Sequence, residues 1–447
     1  MKRIKKLVAA AMCSTLILSS LALAGCGSKS TSTKGENGEV TVNIFQFKVE
    51  VAKELEQAAQ EYSKENKNVK INIETIGGGA DYGAALRTKI QSGKEPAIFN
   101  IGGPQDVADW KSRLVDLSQE SWVKNSVDGL EGVLDGVTEN GKVYGTPFSI
   151  EGYGLIYNKA IFKDAGIDAS KINSYVALEQ AVKTLDSKIK SGVLKGKYPK
   201  LEAVFEMPAK EPWVTGLHTS NAVLGQEFKN TREAYKAKKV DFKHKDGFKS
   251  LIDLQANYSK NSQDKSKLNA VDYSTQVGQG LAIERVAIIQ QGNWIYNEVQ
   301  KVDKKVANNL DILPIPIKGG KEDTIPVGVP MYWAVNNKAS KEEQQAAKDF
   351  LKWLYTSEKG KDFVVNKLLF IPPFKGYDNL KPKDCLAASV EKYIKNKKTT
   401  PWVFMGYPTG WGMESVGKEV QKYLSGQATW DDVIKASQAK WESDRNK

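Results

Sequence analysis

Val40 to Phe47 runs apolar with alternation, Val51 to Tyr62 carries a helical period, and Val69 to Thr75 alternates again as Val-Lys-Ile-Asn-Ile-Glu-Thr. The pattern predicts strand, helix, strand. A helix over Asp81 to Gln91 and a buried strand at Ala97 to Ile101 repeat the unit. This stretch is therefore expected to form a wound α/β layer, its sheet largely parallel and covered on both faces. Tyr144 to Lys159 then changes character, with Gly and Pro flanking a short strand.

The first residues obey a different pattern. Lys2, Arg3, Lys5 and Lys6 precede an uncharged run over 7–25, as an export signal requires. Left uncut, that run would be just long enough to span hydrocarbon. Leu23-Ala24-Gly25-Cys26 resembles the lipobox of bacterial lipoproteins, which implies cleavage before Cys26 and lipid on its sulfur. Either way the bulk of the chain lies outside the membrane, tethered to it. Residues 26–38 are almost entirely small and polar and are expected to be a flexible spacer.

Composition narrows the chemistry. Removing the four signal cations lowers the formal charge from +12 to +8, and lysines alternate with acids along the helical stretches. That is a solvated surface rather than a nucleic-acid track. After Cys13 leaves and Cys26 is lipidated, Cys385 has no partner for a disulfide. His218 and His244 are the only histidines, and no metal or nucleotide motif occurs, so no metal, cofactor or catalytic residue is expected and any ATPase is a separate polypeptide. His218 is expected to be structural.

Tyr144 to Lys159 resembles the first interlobe crossing of the extracellular solute-binding proteins of ABC importers, in the maltose-binding-protein-like sugar branch (family 1). Gly93 to Ile98, Gln290-Gln291-Gly292-Asn293-Trp294, Leu313-Pro314-Ile315-Pro316, Gly328-Val329-Pro330, Trp333 to Asn336 and Thr356 to Gly360 follow in the family's order, although Ala97 replaces a usual acidic residue. The resemblance implies a two-lobed α/β fold, the periplasmic-binding-protein fold of class II, with a ligand cleft between lobes joined by hinges. Residues 39–150 and 313–372 would form the N-terminal lobe, and 151–312 and 373–447 the C-terminal lobe. Crossings are expected near 149–152, 312–316 and 371–375. The implied partners are a carbohydrate, ABC permease subunits, and the membrane through Cys26, for a monomer on the extracellular face of the cell membrane.

A sugar presents apolar C–H faces and a rim of hydroxyls, so its site needs aromatic platforms and hydrogen-bonding side chains. The resemblance places Glu211 and Trp213, in Glu-Pro-Trp, Asn293 and Trp294, and Trp411 at such positions in the second lobe. Open α/β sheets bind ligand beyond the carboxyl ends of their strands. In the first lobe that selects Gln46, Phe47, Lys48, Asp81, Tyr82, Asn100 and Gln105, with Glu151 at the crossing. Trp110, Trp122, Trp353, Trp430 and Trp441 sit at helical spacing and are expected to pack rather than bind. The ligand expected is a neutral disaccharide or short oligosaccharide. The alternatives are an acidic or phosphorylated sugar met by Lys48, Arg87 or Arg285, and a secreted glycan-active enzyme.

Overall fold

The computed structural model describes residues 38–77, 80–126, 132–380 and 382–447. The signal, Cys26, the spacer up to residue 37, and Gly78 and Gly79 lie outside the described residues. No helix among the described residues is long and apolar enough to cross a membrane.

The first sheet has the order Val69–Thr75, Val40–Gln46, Ile98–Ile101, Tyr332–Val335, Thr146–Pro147. Its first three strands are parallel, as the repeated strand–helix units require. Tyr332–Val335, returning from the second lobe, runs against them, and Thr146–Pro147 pairs antiparallel with it in turn. Alternation divides the core between the two faces. Val42 and Ile44 pack under the helices Ala52–Glu65 and Lys341–Thr356, while Phe45, Phe99 and Ile101 face Tyr82 and Leu86. Helix Ala52–Glu65 buries Leu55, Ala58, Ala59 and Tyr62, one stripe at helical spacing. Ser340 and Glu343 form a capping box that starts the helix Lys341–Thr356.

The second sheet is built around Glu151–Asn158, every residue of which is buried. That strand pairs antiparallel with Val286–Gly292, Leu310–Leu313 and Ile325–Gly328. Ala203–Phe205 and Thr399–Pro401 complete the sheet. Tyr153, Leu155 and Tyr157 face one core, and Ile156 faces the other together with Ile289 and Ile312.

The crossings lie side by side. Phe148 donates its N–H to the Met331 carbonyl at 3.1 Å, and Ile150 donates to Ile371 at 3.0 Å. Two expected boundaries shift. The return falls at 329–331 rather than 312–316, because Ile325–Gly328 belongs to the second sheet and Ile315 and Ile317 pack in the second lobe's core. After Ile371 the chain stays with the first lobe, where Phe374 and Tyr377 are buried. It reaches the second lobe only at helix Cys385–Lys395, so residues 373–380 belong with the first.

Candidate functional site

A cleft of about 390 Å³ lies between the lobes, and its two walls differ in chemistry. The first-lobe wall combines polar groups with the rings of Phe47, Tyr82 and Trp110. Tyr82 donates its hydroxyl to the Phe45 carbonyl at 2.9 Å and accepts from the Asn100 N–H at 2.8 Å, which fixes the ends of two strands. The Asn100 side chain accepts from the Phe47 N–H at 3.3 Å. Asp81 caps the helix Tyr82–Gln91 by accepting from Ala84 and still faces the cleft, beside Arg87 and Gln105. Asp106 accepts from the Gly102 N–H at 2.6 Å. Burial pushes its carboxyl up to about 6, with Asp109 and Asp81 adding to the effect while the Gly102 N–H and Arg87 oppose it.

The second-lobe wall is aromatic. Trp213 donates Nε1–H to Glu211 at 3.1 Å, and the other oxygen of Glu211 accepts from the Tyr273 N–H at 3.1 Å. Trp294 donates to Gln291 at 3.1 Å, and Gln291 is held in turn by Gln276 at 2.7 Å. Both indoles are thus aimed by buried polar partners while their rings line the cleft. Trp402, Phe404 and Met405 extend the wall. Asn221 ties their loop down, accepting from the Val403 and Phe404 N–H groups at 2.6 and 3.1 Å.

At the floor, Lys48 meets Glu50 at 2.6 Å and Glu151 at 2.5 Å; Lys48 and Glu151 are buried and Glu50 is partly so. Burial disfavours the ammonium, but the two carboxylates outweigh it and hold the lysine's pKa above its ordinary value.

Of the residues picked from the sequence, the structure brings Phe47, Lys48, Asp81, Tyr82, Asn100, Gln105, Glu151, Trp213 and Trp294 to the cleft. Four do not line it. Gln46 is fully buried and spends its side chain on the Lys48 backbone and Thr75. Glu211 is 4% exposed and positions Trp213 and Tyr273. Asn293 accepts from the Gly152 N–H at 3.0 Å and borders the hinge beneath the cleft. Trp411 is a core residue, 1% exposed. Its ring stands at 88° to Trp441 and its Nε1–H bonds the Ser437 carbonyl at 2.8 Å.

Trp110 packs edge-on against Phe99 at 6.2 Å as expected, and it also lines the cleft beside Asp106. Sequence reasoning also missed Tyr273, Trp402, Phe404 and Met405. The aromatic run Pro401 to Met405, ending a short strand, was the available signal.

The model of a bacterial extracellular solute-binding protein matches residues 57–399. The chain belongs to this family. Membership makes it a solute-binding protein and not an enzyme. A multiple sugar-binding protein of Streptococcus mutans is 25% identical over 37% of this chain and 39% of its own length. A xylose/arabinose-binding protein of Haloferax volcanii is 23% identical over 77% of this chain and 72% of its own. A maltooligosaccharide ABC transporter solute-binding lipoprotein of Streptococcus pneumoniae is 31% identical over 36% of this chain and 38% of its own. The chain thus spans under two fifths of the first and third of these relatives. Among solved structures, a chitin oligosaccharide binding protein matches with a TM-score of 0.72 at 20% identity, covering 92% of this chain and all of that one. The raffinose complex of RafE matches at 0.69 and 18%, covering 91% and all of it. These two likenesses concern the fold.

Proposed function

We propose that this solute-binding protein is a lipoprotein of an ABC importer, anchored through Cys26, which binds a neutral disaccharide or short oligosaccharide and delivers it as a monomer to a permease with a separate ATPase. The mixture of aromatic rings and polar side chains lining the cleft carries this reading. An aromatic wall suits the C–H faces of pyranose rings, and the facing carboxylates and amides suit their hydroxyls. The relatives' names, from multiple sugars to maltooligosaccharide, agree in substrate class. Proposed ligand contacts are Phe47, Lys48, Asp81, Tyr82, Asn100, Gln105, Glu151, Trp213 and Trp294. Ligand held from both walls favours the closed form, which is the signal to the permease.

An acidic sugar fits less well. Lys48 is held by two carboxylates, Arg285 pairs with Glu202 at 3.3 Å and does not line the cleft, and Arg87 faces Asp81 and Asp106. The test is thermal unfolding of a soluble form beginning at Gly27, screened against malto-, xylo-, galacto- and chito-oligosaccharides, glucuronate and glucose 6-phosphate. A ligand at 100 times its Kd adds about 2.7 kcal/mol. A shift with a neutral series is expected; a shift with the acidic sugars alone would overturn the reading.

A further inference from the structure

We infer that the imidazole of His218 is the specificity-determining hydrogen-bonding group of the aromatic wall, engaging a hydroxyl of the bound saccharide. The inference deepens the sugar-binding reading and rests on it. His218 lies in the helical turn Val214–Thr219, is 9% exposed and lines the cleft. Its ring lies flat on Tyr153 at 4.3 Å and 14°, and Trp213 meets it edge-on at 5.1 Å. Trp294 and Phe404 approach to 5.4 and 5.7 Å. The backbone is fixed as well: the His218 carbonyl accepts from the Tyr153 hydroxyl at 2.8 Å, and that hydroxyl accepts from Asn221 at 2.9 Å.

Position and plane of the imidazole are therefore set by rings and backbone, without its own nitrogens. Among the described residues, none gives or takes a hydrogen bond at either ring nitrogen. Interior polar groups are nearly always paired. An imidazole held at a cleft wall with both nitrogens unused has its partner in what fills the cleft. Burial pushes its pKa down to about 3, so the ring is neutral and offers one donor and one acceptor. A sugar hydroxyl, itself donor and acceptor, matches that pair. A phenyl ring at this position would keep the stacking and lose the hydroxyl.

The chain has two histidines, so long-range ¹H–¹⁵N spectra of the labelled protein show two imidazoles, and His218→Phe assigns them. Maltotriose, raffinose, xylotriose and chitotriose are the probes, with binding followed by tryptophan fluorescence. For a probe that binds, the His218 nitrogens should shift at saturation while those of His244 stay. His218→Phe should weaken binding about tenfold or more, and His218→Gln, which keeps a donor and an acceptor, should recover part of it. A purely structural histidine would lower the melting temperature on substitution and leave the nitrogen signals unmoved by sugar. Unmoved nitrogens at saturation, or wild-type affinity in His218→Phe, would overturn this inference alone. Silence with all four probes would overturn the sugar reading and this inference with it.

Discussion

Asp109 of the first lobe accepts a hydrogen bond from Thr409 of the second at 2.8 Å, across the mouth of the cleft. Beside it, Arg445 donates to the Gln105 side chain at 2.8 Å, and Arg232 donates to the Asp135 and Thr138 carbonyls. Contacts between lobes at the mouth exist only when the lobes are together, so they add to the free energy of the closed form. Arg445→Ala is expected to weaken saccharide affinity about fivefold, the effect of losing about 1 kcal/mol of closed-state stabilisation. Small-angle scattering should show a larger radius of gyration. Unchanged affinity and radius would mean that the lobes close without this contact.

The family resemblance puts both Trp213 and Trp411 forward as stacking residues, yet their surroundings call for opposite outcomes. Trp213→Ala removes a cleft platform and should weaken saccharide binding about tenfold with little loss of stability. Trp411→Ala opens a hole among Phe242, Tyr407 and Trp441 and should cost about 3–5 kcal/mol in urea unfolding. Equal stability losses in the two variants would refute the assignment.

That contrast also shows which features the sequence made legible. The first two strands follow from alternation, since one residue's slip would turn Ile44 away from its core, and the third from its largely apolar run. Motif matching could not reveal which way a ring turns. Gly410, at φ 75°, reverses the chain before Trp411, and the following helical turn directs the indole inward while Gly412 and Met413 meet the cleft. The family resemblance placed a crossing at the Leu-Pro-Ile-Pro segment. Ile315 and Ile317 nevertheless belong to the second core, a pairing set by contacts distant in sequence. His218 carried no pattern, since its use depends on rings gathered from Tyr153, Trp213, Trp294 and Phe404.

Lys48 neutralises the buried Glu151 and the partly buried Glu50 next to the first crossing. Lys48→Met would leave Glu50 and Glu151 together without their cation, at a cost of about 3–5 kcal/mol. Because the folded state holds the lysine's proton above the ordinary value of 10.5, this stabilisation is fully present below about pH 10.5 and is lost as pH rises through the higher folded value. Urea titrations from pH 7 to 11 should show an alkaline decline in the wild-type protein, to which buried tyrosines such as Tyr82 and Tyr153 also contribute, and a shallower one in Lys48→Met. Parallel declines would place its origin elsewhere.

Asp106 should respond at the acid end with the reverse slope of an ordinary paired carboxylate. Its ordinary value is 3.8 and burial raises it to about 6, so between these values the folded chain holds a proton that the unfolded chain has released. Stability therefore falls as pH rises through that window and is flat above it, for this group. Asp106→Asn keeps an acceptor for the Gly102 N–H and carries no charge beside Asp81 and Asp109. The variant is expected to be more stable than wild type at pH 7.5 and to lose that advantage by pH 4, as read by urea midpoints. A variant less stable at pH 7.5 would mean that the Asp106 charge is stabilised in the folded protein, most directly by Arg87.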